Sequence, residues 1–185
     1  SSEYEAQNHT LRLARRTDVG VFTLSGGYQD IPKQGYPNAW MDMLHNHAGF
    51  VNASFEGAFD WGRLDAKAFW HHTEHYMNFL ADKGGSTPAS GMPMYTRGDD
   101  LGYSVKAAID WTKQDVVRIG NEFHHTGLDD WWPAVAGSMM MGPNTYRNIN
   151  GGRRDRFGTF AEWERTWTSR WSTLLGGRID VVDMD

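Results

Sequence analysis

VNASFEGAFDWGRLDAKAFW, residues 51–70, holds two amphipathic strands joined by one short polar turn at Gly62–Arg63. Side chains alternate between the two faces of a strand, so residues two apart share a surface. The second strand sets Leu64, Ala66, Ala68 and Trp70 against Asp65 and Lys67. One face is therefore apolar and the other polar, which predicts a β-hairpin whose two faces meet different surroundings.

The same pattern recurs along the chain and predicts about eight antiparallel strands. Four turns are short and polar, near Arg15–Asp18, Gly62–Arg63, Thr112–Asp115 and Thr168–Arg170. Three connections are long, near Asp30–Asn46, Ala81–Asp100 and Thr126–Arg156. Short turns at one end and long loops at the other are typical of outer-membrane barrels. The pattern therefore predicts an all-β, antiparallel transmembrane β-barrel segment.

Tryptophan placement separates this prediction from a soluble sandwich. The chain has nine Trp residues. Trp61, Trp111 and Trp167 each end a predicted strand at a short turn, and Trp171 begins the last predicted strand just after the fourth short turn. Aromatic residues repeated at one level form the interfacial girdle of a barrel wall. A soluble carbohydrate-binding sandwich, the alternative fold, would more often have polar residues beside its turns. The tryptophans favour the barrel.

Composition excludes several functional classes. A net charge of −5 argues against a nucleic-acid binder. Mean hydropathy is −0.62, and no run of eighteen apolar residues is present, so a transmembrane helix is excluded. The absence of cysteine removes disulfides and thiolate ligands from this stretch. The sequence has no phosphate-binding glycine loop, nucleophile elbow or zinc-protease helix, so we expect no enzymatic activity.

The sharpest metal-binding motif is His75-Tyr76-Met77. On a strand, His75 and Met77 leave the same face, which also carries Lys67 and His71 and would face the barrel lumen. An imidazole nitrogen beside a thioether suits copper, especially Cu(I), better than zinc or iron. The alternative is that Met77 packs and His75 forms a local hydrogen bond.

Methionine is concentrated in the predicted long loops. Seven of the nine lie there: Met41, Met43, Met92, Met94, Met139, Met140 and Met141. In residues 41–47, MDMLHNH, two thioethers and the imidazoles of His45 and His47 fall within seven positions. Such clusters predict weak capture of a soft metal outside the barrel, whereas the alternative is that methionine fills gaps between loops.

The remaining charged motifs predict structural or surface roles. His124 and His125 close a predicted strand, and adjacent residues face opposite ways, so at most one could serve a lumen site. Arg153–Arg156 forms a predicted loop charge run suited to solvent or to lipopolysaccharide phosphates. We expect His45, His75, His124 and Met139–Met141 to lie toward the end opposite the short turns.

Four segments resemble the TonB-dependent copper receptors of Gram-negative outer membranes: WMDMLHNH at 40–47, EHYMNFL at 74–80, GMPMYTRG at 91–98 and FAEWE at 160–164. The resemblance implies a 22-stranded barrel closed by a plug domain and energised by TonB. It also implies that the family's His-x-Met copper ligands correspond to His75 and Met77. Copper is then the transported ligand, and lipid and lipopolysaccharide surround the barrel.

Departures from the family pattern shape the expectation. The family completes its copper site with a Cys-x-x-x-Met motif in the plug, and this chain has neither cysteine nor plug nor TonB box. We therefore expect residues 1–185 to be a mid-barrel portion of a receptor, with TonB reached through the missing N-terminal part. The rivals are a receptor for a siderophore or other metal chelate, and a complete eight-stranded barrel acting as an adhesin or anchor.

Overall fold

The computed structural model describes residues 2–138 and 144–185. Its strands are β1 Tyr4–Thr17, β2 Gly20–Gln34, β3 Asp42–Phe59, β4 Gly62–Asn78, β5 Met94–Asp110, β6 Asp115–Trp132, β7 Tyr146–Thr168 and β8 Trp171–Met184. A 3₁₀ turn, Ala81–Lys83, and a one-turn helix α1, Pro88–Gly91, lie between β4 and β5. None of the helical segments within the described ranges is long and apolar enough to cross a membrane.

The eight strands form one antiparallel sheet in the order β1-β2-β3-β4-β5-β6-β7-β8. Each strand pairs with its neighbours in the sequence, as in a meander. The prediction of about eight antiparallel strands is confirmed. The soluble sandwich is wrong for the part of the chain that the structure describes, because that part contains one sheet rather than two packed together.

The short turns all lie at one end of the sheet, as predicted. The turn between β3 and β4 closes at Gly62, whose φ of 137° suits glycine. A Cβ added there would lie 1.9 Å from the carbonyl oxygen of Ala108 on β5. Tryptophans mark this end, and their side chains are exposed: Trp61, Trp111, Trp167 and Trp171. All four lie at the end of the sheet that carries the short turns.

The connections at the other end are shorter than the sequence predicted. They span residues 35–41, 79–93 and 133–145, because the strands continue past the points where alternation fades. Backbone pairing needs no apolar face, so a strand can extend into a region where both faces are polar. The interpretation of His124–His125 as a strand end is wrong, since β6 runs on to Trp132. The predicted loop charge run at Arg153–Arg156 is likewise part of β7.

The sheet has an apolar face that nothing in the described chain covers. The buried apolar side chains among the described residues are Ile31 and Met43, whereas Leu24, Val105 and Ile179 are 51%, 41% and 74% exposed. Soluble domains bury the apolar face of a sheet against a second layer. An exposed face of this size indicates contact with an apolar environment outside the chain.

The opposite face is polar and cross-linked between strands. Glu122 on β6 accepts a salt bridge from Arg156 on β7 at 3.0 Å and a second one from Arg178 on β8. Arg178 also pairs with Asp180 at 2.7 Å. Asn52, Lys67 and His71 belong to this face by their register. We call the two surfaces the apolar face and the polar face.

Candidate metal site

His75 and Met77 lie near the end of β4 that is remote from the short turns. The strand ends at Asn78 and pairs with β5 without a register shift, so the two side chains leave the same face. The expected position of His75 at this end is confirmed. His45, near the start of β3, lies at the same end. His124 does not, because it pairs with Gly102 in the middle of β5.

Met77 belongs to a row of three methionines on three adjacent strands. It is the cross-strand partner of Met43 on β3 and of Met94 on β5. Directly paired residues of antiparallel strands have Cα atoms about 4.5–5.5 Å apart and side chains on one face. We call Met43, Met77 and Met94 the methionine row. Met43 is 7% exposed, and the other two are half-buried.

A β-bulge determines which residues join this row. The register shifts between Met43 and His45, so Met43 pairs with Met77 whereas His45 pairs with Tyr76. Met43 and His45, which would share a face in a regular strand, are thereby directed to opposite faces. The predicted cluster of two thioethers and two imidazoles in residues 41–47 is therefore divided. Its methionine at 43 joins the polar face, and His45 and His47 do not.

The His75 imidazole is half-buried. Within residues 2–138 and 144–185, no side chain hydrogen-bonds it. Five other histidines do form side-chain hydrogen bonds: His47, His71, His72, His124 and His125. The alternative role of His75 as a local hydrogen-bond partner finds no support among the described residues.

Burial lowers the pKa of His75 below its ordinary value, and the negative charge of Asp130 opposes this effect. The neutral imidazole is thus favoured at neutral pH, and a neutral ring keeps a lone pair for a metal ion. Asp130 itself is engaged elsewhere. It accepts hydrogen bonds from Thr96 Oγ1 and Asn148 Nδ2, each at 2.8 Å. His75 thus contributes an imidazole nitrogen to the sheet face that carries the Met77 thioether.

A buried ion pair holds the strand ends around the methionine row. The Asp42 side chain is fully buried and accepts hydrogen bonds from Lys83 Nζ and the Tyr36 backbone N–H, each at 2.7 Å. Lys83 Nζ also donates to the Tyr36 carbonyl at 2.8 Å. The 3₁₀ turn is thereby fastened to the start of β3. Asp42 directly precedes Met43, so this contact fixes the first member of the row.

The other predicted metal residues are dispersed. Met41 lies in the connection before β3, and Met92 caps α1 with a φ of 47°. Met139–Met141 lie outside the described residues. Among those described, no group of three or more His, Cys, Asp or Glu residues could hold a metal ion. Methionine sulfur is a donor that shares the sheet face of His75.

The comparisons with known proteins bear on the fold. No protein-family model and no curated protein matches the chain. A solved structure titled "Copper transporter OprC" superposes on 98% of the chain with a TM-score of 0.72 and 16% sequence identity. The chain spans 29% of the length of that structure. At this identity the likeness shows the fold, and it agrees with the antiparallel all-β sheet described above.

Proposed function

We propose that this chain is part of an outer-membrane, TonB-dependent receptor that binds and imports copper ions. The observation that carries the proposal is the methionine row, which brings thioethers from three strands onto the sheet face that also carries His75. The similarity to a structure titled a copper transporter supports the same conclusion. His75 and Met77 are the proposed copper ligands.

The donor chemistry favours Cu(I). Thioethers are soft ligands that select Cu(I), whereas zinc takes thiolate, imidazole and carboxylate, and harder ions take oxygen. The Asp130 carboxylate, whose charge acts on His75, is already held by Thr96 and Asn148. Copper is the transported substrate in this proposal and not a resident cofactor.

The exposed apolar face supports the outer-membrane location. A transmembrane strand needs about 9–11 residues to cross the hydrocarbon core. On β4 that distance, counted from Gly62, is used up shortly after Trp70. His75 and Met77 then lie beyond the apolar band, on the side of the longer connections, which are extracellular in such barrels. The rest of the receptor would supply the remaining strands, the plug and the contact with TonB.

The test is anaerobic Cu(I) titration of the full-length receptor and two variants, Met77→Leu and Met77→Ala. Leucine keeps the volume of methionine and removes its sulfur. Both variants should bind Cu(I) at least tenfold more weakly, which corresponds to about 1.4 kcal/mol. Met184→Leu, on exposed β8, is the matched control and should bind as the unmodified receptor does.

A loss in the alanine variant alone would assign Met77 to packing. Unchanged affinity in both variants would overturn the copper proposal and favour the receptor for a siderophore or another chelate. Uptake of an iron chelate through the same receptor would then be the measurement to make.

A further inference from the structure

An aromatic row crosses four strands on the face opposite the methionine row. His45, Tyr76, Tyr95 and Trp131 are successive cross-strand partners on β3, β4, β5 and β6. Their ring centroids are 6.3, 4.8 and 5.6 Å apart, and Tyr95 stacks on Trp131 at an interplanar angle of 15°. These rings form a continuous, partly exposed platform.

The platform lies on the same side of the sheet as the apolar face. Along β4 the side chains of Trp70 and His72 stack at 6.0 Å, and His72 contacts Glu74 at 3.5 Å. Tyr76 follows Glu74 at the next position on that face. A line along the sheet therefore passes from apolar residues to charged residues and then to the aromatic row.

Two charged rows separate the aromatic row from the apolar face. His72 pairs with Asp99 at 2.6 Å, and Glu74 pairs with Arg97 at 2.6 Å. The Arg97 guanidinium holds the pKa of Glu74 below its usual value, so this carboxylate is ionised at neutral pH. Lipid-facing charges are costly in a barrel wall. The aromatic row is therefore no part of a bilayer girdle.

The height of the row agrees with this conclusion. Tyr95 is six residues beyond Leu101 on β5, which is about 20 Å along the strand at ~3.3 Å per residue. Leu101 is the cross-strand partner of Trp70, at the upper limit of the apolar band. In the outer membrane proposed above, with strands tilted by about 45°, the aromatic row thus stands about 14 Å above the hydrocarbon core and beyond the thin headgroup layer, at the height of the sugars of a surface glycolipid.

The chemistry of the row fits a saccharide. The C–H bonds of a pyranose face carry partial positive charge, which suits the negative face of an aromatic ring. The neighbouring row supplies carboxylate, guanidinium and imidazole groups from Glu74, Arg97 and His47, which can accept from or donate to sugar hydroxyls. A groove of about 630 Å³ joins the two rows. That volume lies within the ~300–1,000 Å³ typical of small-ligand sites.

Charge pairing argues against a phosphate ligand. His47 contacts Asp30 at 3.1 Å, and His72 and Arg97 each face a carboxylate as well. The two charged rows therefore offer alternating donors and acceptors without an excess of cations. Phosphate sites use arginine or lysine that is free to form bidentate or direct contacts. A neutral, hydroxyl-rich ligand is the better match.

We propose that this surface binds the sugar part of a membrane glycolipid whose acyl chains lie against the apolar face below it. The order of the surface zones, apolar, charged and aromatic, matches an amphiphile anchored in lipid with its saccharide above. This inference rests on the outer-membrane location proposed above. His75 also borders the groove, whereas the methionine row lies on the opposite face, so Cu(I) affinity is measured beside glycolipid binding.

The experiment uses the full-length receptor in detergent with three probes: a lipopolysaccharide that retains its core sugars, lipid A that lacks them, and the free core oligosaccharide. Tyr95→Leu removes the ring and keeps an apolar side chain, whereas Tyr95→Phe keeps the ring. Tyr103→Leu is the matched control, since Tyr103 lies on the same strand and face and is 38% exposed against 39% for Tyr95.

The unmodified receptor and Tyr95→Phe should bind the sugar-bearing lipid at least tenfold more tightly than lipid A. Tyr95→Leu should lose this difference, Tyr103→Leu should keep it, and all variants should retain Cu(I) affinity. Equal binding of lipid A and the sugar-bearing lipid would overturn the proposal, as would an unchanged preference in Tyr95→Leu. If the free oligosaccharide bound as tightly as the sugar-bearing lipid, the ligand would be a soluble sugar and the proposal of a membrane glycolipid would be overturned.

Discussion

Met43 and Met77 are direct cross-strand partners, one on β3 and the other on β4, although the sequence places them in separate motifs. Their pairing depends on the β-bulge that separates Met43 from His45. Met94 continues the row on β5.

Met43→Leu should weaken Cu(I) binding about tenfold while the free energy of unfolding changes by less than about 1.5 kcal/mol, because the swap conserves volume. Met43→Ala should cost about 2–5 kcal/mol of stability as well, since Met43 is buried. Anaerobic Cu(I) titration and urea unfolding check the two effects. Unchanged Cu(I) affinity in Met43→Leu would remove this residue from the metal site.

Copper affinity should be constant from about pH 8 down to about 6.5, the ordinary pKa of histidine, and fall only below it. Burial lowers the pKa of His75, so protons compete with the metal only in more acidic solution. For the same reason, stability linked to neutral His75 is present above about pH 6.5 and is lost as the pH falls. His75→Asn should flatten the decline. A decline centred above pH 6.5 would contradict this assignment.

Lys83→Met should destabilise the strand ends around the methionine row by about 3–5 kcal/mol, because it leaves the buried Asp42 carboxylate without its cation. Lys33→Met is the control. Lys33 pairs with Glu3 at the surface, where such a pair contributes about 0–1 kcal/mol. Hydrogen exchange of the β3 and β4 amides measures the difference. Similar protection in both variants would show that the Asp42–Lys83 pair does not hold this region.

Ala68→Arg should destabilise the receptor in lipid vesicles by about 2–4 kcal/mol, since it places a charge in the middle of the apolar face. Ser104→Arg, on the polar face of the neighbouring strand, is the matched control and should have little effect. Urea titration in vesicles compares the two. Equal effects would mean that the apolar face does not contact lipid.

Much of the architecture could be predicted from local patterns. Alternation in residues 51–70 predicts a hairpin with one apolar face, and the tryptophans at short turns predict their common level. Such periodicity is a property of neighbouring residues, so the sequence contains it directly. The extent of the strands could not be predicted in the same way. Alternation fades beyond His125 and before Phe157, yet backbone pairing carries β6 and β7 further.

The sequence by itself determined that His75 and Met77 share a strand face, because two-residue spacing fixes this wherever the strand is regular. Only the tertiary structure decided that Met43 and Met94 are their neighbours. Register between strands is set by backbone pairing across the whole sheet, and one bulge near the start of β3 reverses which side chains share a face. The same register aligns Tyr76, Tyr95 and Trp131 into one platform on the other side.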